Sequence, residues 1–230
     1  MDWTAPVDAY CERLGPEFWA EPLNAASNAA FLVAAGLGLF LWWGGGRRDR
    51  LTLGFIVLVA MIGVGSFLFH TVAQAWAGLA DVLPIAVFVH AYFALALARF
   101  WRCGVGMTVL GTVLFAVASI PAAALLRPLF GSSASYIPAL AAMLGVGMLL
   151  VAKGRGPGRT ILAAGCVFAL SLALRLADDP LCQRWPWGTH FGWHILNATT
   201  LGLLLVAAIR DAPRRGEPSR TTQGSGGQLA

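Results

Sequence analysis

The stretch "THFGWHILN" (residues 189–197) sets His190 and His194 four residues apart, a spacing that puts two side chains on one face of an α-helix. The chain has only four histidines. A third, His70, stands one helical turn after Ser66 in "GSFLFHTVAQAWAGLAD" (65–81), a stretch that ends on Asp81. Neutral imidazoles are zinc ligands, and three of them with a fourth position left open make a common catalytic zinc site. Zinc in such a site lowers the pKa of water toward neutrality and polarises a carbonyl oxygen. Asp81 suits proton transfer to a leaving amine, and Ser66 suits a hydrogen bond to a developing oxyanion.

Blander readings compete. A lone histidine in an apolar helix is usually a hydrogen-bonded packing residue, and His90, without such company, reads that way. Ser66 and His70 as a hydrolase dyad would share one helix turn, a poor placement for nucleophile and base around an acyl carbon. Haem ligation asks for imidazoles on opposite sides of a ring, whereas His190 and His194 share a face.

The elements that must position these groups are membrane helices. The chain is 58% hydrophobic and 12% charged, too apolar for a soluble surface. Apolar windows long enough to cross a bilayer recur at about 25–44, 52–73, 79–99, 106–127, 135–153, 159–178 and 188–210. The expected fold is all-α: one seven-transmembrane helix bundle over 25–210, behind an acidic extracytoplasmic segment (1–24) and before a disordered cytoplasmic tail (211–230). The first segment is acidic and aromatic and does not read as a secretory signal peptide.

Basic residues favour the cytoplasmic face. With the N-terminus outside, the inner side collects Arg47, Arg48, Arg50, Arg99, Arg102, Lys153, Arg155, Arg159, Arg210, Arg214, Arg215 and Arg220. Only Arg13, Arg127, Arg175 and Arg184 remain outside. The topology is therefore N-out, C-in, and the net charge of +5 marks topology and no nucleic-acid partner. Asp2, Asp8, Glu12, Glu17, Glu21, Asp81, Asp178 and Asp179 gather at the outer side. In this topology the second span ends outside, the third starts there, and so does the seventh. His70, Asp81, His190, His194 and Ser66 then share one depth below the outer surface, and this agreement favours a metal over three unrelated packing residues. Cys11 and Cys182 also fall outside, where a disulfide could form and persist. Cys103 and Cys166 are expected as free thiols.

"EPLNAASN" (21–28), "GSFLFHTVAQAWAGLAD" (65–81) and "THFGWHILN" (189–197), in that order, resemble the alkaline ceramidases, in a bacterial-type form, and the wider CREST superfamily of seven-transmembrane zinc hydrolases and receptors. The resemblance covers nearly the whole chain. It implies His70, His190 and His194 as zinc ligands, Asp81 as the proton-transfer group and Ser66 as its assistant. It also implies hydrolysis of the N-acyl bond of ceramide or a related lipid amide. The site would face the extracytoplasmic side of the plasma membrane of a bacterial cell. The ceramidase branch carries an N-terminal calcium site as well, which "DAYCE" (8–12) and Glu21 resemble. Glu12 and Glu21, with Asp8, are the calcium ligands so implied, although Ala9 and Leu14 depart from the pattern. A Cys11–Cys182 bridge matches the same branch, and Asp178 falls at a recurrent acidic position. Two alternatives share the fold: a receptor-like lipid sensor with structural zinc, and a hydrolase of a non-sphingolipid amide or ester.

Overall fold

The computed structural model describes residues 2–45 and 49–212. Arg47 and Arg48, and the tail from residue 213 with Arg214, Arg215 and Arg220, lie outside the described residues. Helices α1 (Pro22–Ser27) and α2 (Ala29–Gly44) together form the first expected span, divided at Asn28. They are followed by α3 (Arg50–Val72) and by α4 (Ala75–Leu95), which closes on a π-helical turn (Ala96–Phe100). Next come α5 (Val105–Phe130), a 3-10 segment (Gly131–Tyr136), α6 (Ile137–Ala152), α7 (Gly158–Leu181) and α8 (His190–Arg210).

Among the described residues, six stretches are long and apolar enough to cross a bilayer, and the chain is a multi-pass integral membrane protein. One of them, Val105–Ala152, runs 48 residues, more than twice the roughly 20 that one crossing needs. The 3-10 segment divides it where Gly131 takes a left-handed φ of +53°. α5 and α6, the latter of 16 residues, are thus counted within one of the six stretches, where the sequence reading counts two spans. Leu114, Ile120, Leu125 and Leu129 of α5 are among many large apolar side chains turned outward, as a lipid-facing surface requires.

The apolar core lies among α2, α3, α4 and α8, around Phe31, Phe55, Val59, Ile62, Phe88 and Leu205. At one end of the bundle Asp49 caps α3, accepting the Thr52 N–H at 2.9 Å and its hydroxyl at 2.7 Å. Arg99 ties this cap to the end of α8, reaching Asp49 at 3.0 Å and the Ala208 carbonyl at 3.2 Å. At the other end α3 stops at Ala73, whose left-handed backbone (φ 48°) turns the chain into α4 within two residues. The N-terminal segment is laced onto that turn: Val7 donates to the Ala73 carbonyl at 2.8 Å, and Ala75 to the Ala5 carbonyl at 3.0 Å. The end of α3 and the starts of α1, α4 and α8 therefore meet under one cap, in the shared layer expected from the sequence.

Candidate metal centre

His70, His190 and His194 are buried, and one ring nitrogen of each lies within 4.8 Å of the others. Their ring centroids are 4.6 to 5.2 Å apart. Neighbours decide which nitrogen of two of these rings carries the proton. The Glu21 carboxylate accepts from His70 Nδ1 at 2.6 Å, so Nε2 keeps its lone pair, and that atom is buried with no protein partner. The Ser27 hydroxyl donates to the Asn24 carbonyl at 2.9 Å and meets His194 Nδ1 at 2.8 Å. Its one hydrogen is thus committed, so Nδ1 donates to it and His194 Nε2 is the bare nitrogen. His190 stacks on Tyr10, centroids 3.6 Å apart, and its Nδ1 is buried without a partner.

Buried polar atoms in proteins are nearly always hydrogen-bonded. Two orphaned imidazole nitrogens among three buried rings that bring their ligand atoms together suit a cation that shares their lone pairs. A carboxylate or hydroxyl on the far nitrogen is how proteins orient zinc-ligating histidines. The three residues fit zinc.

Asp81 lies in the second turn of α4, where the Ser66 hydroxyl hydrogen-bonds its carboxyl. Gly65 makes that approach feasible. A Cβ there would run into the Ala80 carbonyl, with Asp81 N at 3.2 Å, so α3 and α4 touch backbone to backbone beside the site. Ser66, one residue on, is 3% exposed.

The start of α8 is held from outside its own chain segment. Asp178 of α7 accepts the N–H groups of Thr189 at 2.7 Å, His190 at 3.0 Å and Cys11 at 3.1 Å. It thereby satisfies orphan donors of a helix N-terminus and fixes the backbone from which His190 projects. Gly188, at φ +62°, brings the chain against Asp178 where a Cβ would also lie 2.8 Å from that of Cys11. Cys11 and Cys182 form a disulfide, their Cα atoms 5.3 Å apart, while Cys103 and Cys166 are free. Arg175 faces the rings of Tyr10, Tyr136 and Trp193 and donates to Ser132 at 3.0 Å. His90 is half-exposed on α4, donates to the Ala86 carbonyl at 2.8 Å and lies against Phe115. It is hydrogen-bonded as expected, but half-exposed where a buried group was expected.

Calcium takes six to eight oxygen ligands, and the residues implied for it do not assemble such a shell. Both Glu12 oxygens accept backbone N–H groups, from Leu23 at 2.6 Å and Asn24 at 2.8 Å. Glu21 accepts from Arg13 Nε at 2.6 Å and from Asn24 Nδ2 at 3.0 Å, besides His70. Burial pushes the Glu21 carboxyl up, but the hydrogen bonds from His70, Asn24 and Arg13 outweigh it and hold the group below its ordinary range. Asp8 is exposed to solvent. Among the described residues, the three histidines are the group that brings metal-ligand atoms together.

Arg13, Ser27 and Arg175 were not singled out as site residues from the sequence. Ser27 was within reach, since Glu21, Asn24 and Ser27 recur at intervals of three, a polar stripe at the start of an apolar span. Below the histidines an apolar cleft of about 760 Å³, open side included, runs between α4, α5, α6 and α8. Asn197, one turn beyond His194, lines it with Phe88, Phe115, Tyr136 and Met143.

A search of curated proteins returns no significant match. The family profile described as ceramidase matches residues 4–221, which takes in the N-terminal cap, every described helix and the three histidines. The chain belongs to the ceramidase family.

Proposed function

We propose that the protein is a zinc-dependent membrane amidase that cleaves the N-acyl bond of ceramide or a related lipid amide to a sphingoid base and a fatty acid. Family membership supports amide-bond hydrolysis of the ceramide type in general. The observation that carries the finer reading is the set of three buried imidazoles, two of them with an orphaned nitrogen. In this reading the bundle makes seven crossings, with α5 and α6 as separate spans and the N-terminus outside.

Zinc held by His70, His190 and His194 would supply an acidified water and a polarised carbonyl. The remaining work belongs to the chain. Glu21 and Ser27 keep His70 and His194 in the tautomers that leave Nε2 bare. Asp81 accepts the proton of the attacking water and delivers it to the amide nitrogen as the C–N bond breaks, so hydroxyl ends on the acyl carbon and hydrogen on the amine. Ser66 donates to the Asp81 carboxylate and orients it, and once Asp81 has taken the water's proton the hydroxyl hydrogen is free to turn to the charge growing on the carbonyl oxygen. The cleft lined by Phe88, Phe115 and Met143 receives alkyl chain.

The test is fatty-acid release from a panel of ceramides, other N-acyl lipids and acyl esters in detergent micelles. Hydrolysis of ceramides over esters is the expected result. Ester hydrolysis alone would move the substrate class. No hydrolysis by folded, zinc-loaded protein would leave a lipid sensor with structural zinc.

A further inference from the structure

We propose that Arg13 is a built-in cation that takes the place of calcium in the outer cap and positions His70, so that the site works without calcium. This inference rests on the zinc reading above.

Arg13 is 7% exposed, and its guanidinium is bound on every side. Nε donates to Glu21 at 2.6 Å, Nη1 to the Gly15 carbonyl at 3.0 Å, and Nη2 to the His70 carbonyl at 3.1 Å. The carboxylate and carbonyl oxygens here are those a hard divalent cation would seek. They face N–H donors instead, and the oxygens left buried without a partner here, among the described residues, are Asn24 Oδ1 and, one turn on, Asn28 Oδ1. Two neutral amide oxygens are far short of the six to eight of a calcium shell.

The contacts explain why a cation is needed at this place. Glu21 is 3% exposed, and a buried carboxylate is tolerated only when paired and hydrogen-bonded. Glu12 adds a second negative charge nearby. Arg13 balances this charge and braces His70 twice: Glu21 relays its hold to the ring, and Nη2 grips the backbone carbonyl at the last turn of α3. A planar fork with fixed donor directions suits this double task better than a flexible ammonium. Cys11, two residues earlier, anchors the loop through its disulfide, so the guanidinium is delivered from a tethered segment.

The first experiment uses the wild-type protein, purified in millimolar calcium, desalted, and analysed for both metals. Zinc without calcium is expected, with zinc affinity and melting temperature unchanged when calcium is added. Near-stoichiometric calcium, or zinc binding strengthened by calcium, would overturn the proposal. The second uses Arg13→Ala and Arg13→Lys. Zinc affinity of Arg13→Ala, read by chelator competition, should fall about 10- to 100-fold, the usual effect of losing a group that orients a metal ligand. Added guanidinium should restore part of the loss, and Arg13→Lys should lie between. Wild-type zinc affinity in Arg13→Ala would contradict the positioning role. If the variants do not fold, the wild-type metal analysis decides alone. Neither readout needs hydrolysis, so a failed substrate assay and a failed Arg13 proposal remain distinguishable.

Discussion

Helices α8 and α5 have similar apolar compositions and opposite surroundings. Twelve of the 21 residues of α8 are buried, whereas α5 buries none of its 26. On α8 even the polar groups are enclosed: His190, His194, Asn197 and Thr200 all lie inside. On α5 the outward residues are large apolar side chains, valines and leucines above all, and only side chains such as Phe115 reach the cleft. The contrast separates two demands on a membrane hydrolase. Reacting groups need a platform whose neighbours leave them one geometry. A lipid with long chains needs a wall that can give way to the bilayer, and a loosely packed edge helix provides one.

The largest test of this division strikes the platform. His194→Ala is expected to lose zinc and all hydrolysis while the helices stay folded, checked by metal analysis and circular dichroism. Asp81→Ala should keep zinc but lower kcat about 10²- to 10⁴-fold, the range for a general acid–base group. Retained zinc separates it from the histidine variant. A substitution in the cleft should act on binding instead. Ala142→Trp narrows the space beside Met143 and should raise KM for long acyl chains about 10-fold, with zinc content and short-chain turnover unchanged. Equal loss on all chain lengths would place the chains elsewhere.

The smallest effect lies at the far end of the bundle. Asp49→Ala removes the α3 cap and the Arg99 pair and should cost about 1 kcal/mol, seen as a lower melting temperature in detergent. Burial raises the Asp49 carboxyl, but the Thr52 hydrogen bonds and Arg99 outweigh it and hold it below its ordinary value of 3.8. A group lowered on folding stabilises above its unfolded pKa. The advantage of wild type over Asp49→Ala should therefore persist at neutral pH and fade as pH falls below that value.

The helices were legible because apolar runs of crossing length admit few alternatives, and their bounds differ from the structure by a few residues. The shared depth of His70, Asp81, His190 and His194 followed from span order alone. What escaped lay in the cap, where no periodicity guides a loop of some twenty residues. The resemblance that implies Glu21 as a calcium ligand says nothing of Arg13 folding back onto it. A signal was nonetheless present. Of the four basic residues that the N-out reading leaves on the outer side, Arg13 and Arg175 both come to the histidine site, so a charge on the side that this reading disfavours called for a local explanation. The divided stretch Val105–Ala152 was read as two spans from its apolar windows, and the break at Gly131 occupies the gap between them.

The most direct measurement is ceramide hydrolysis titrated against zinc content. Metal-stripped protein would be reloaded in steps, with fatty-acid release followed at each step for wild type and Asp81→Ala. The account predicts that wild-type activity rises in proportion to bound zinc and levels off at near-stoichiometric loading, while Asp81→Ala binds the same zinc and stays inactive. Wild-type hydrolysis that ignores zinc content, or full activity in Asp81→Ala, would contradict it.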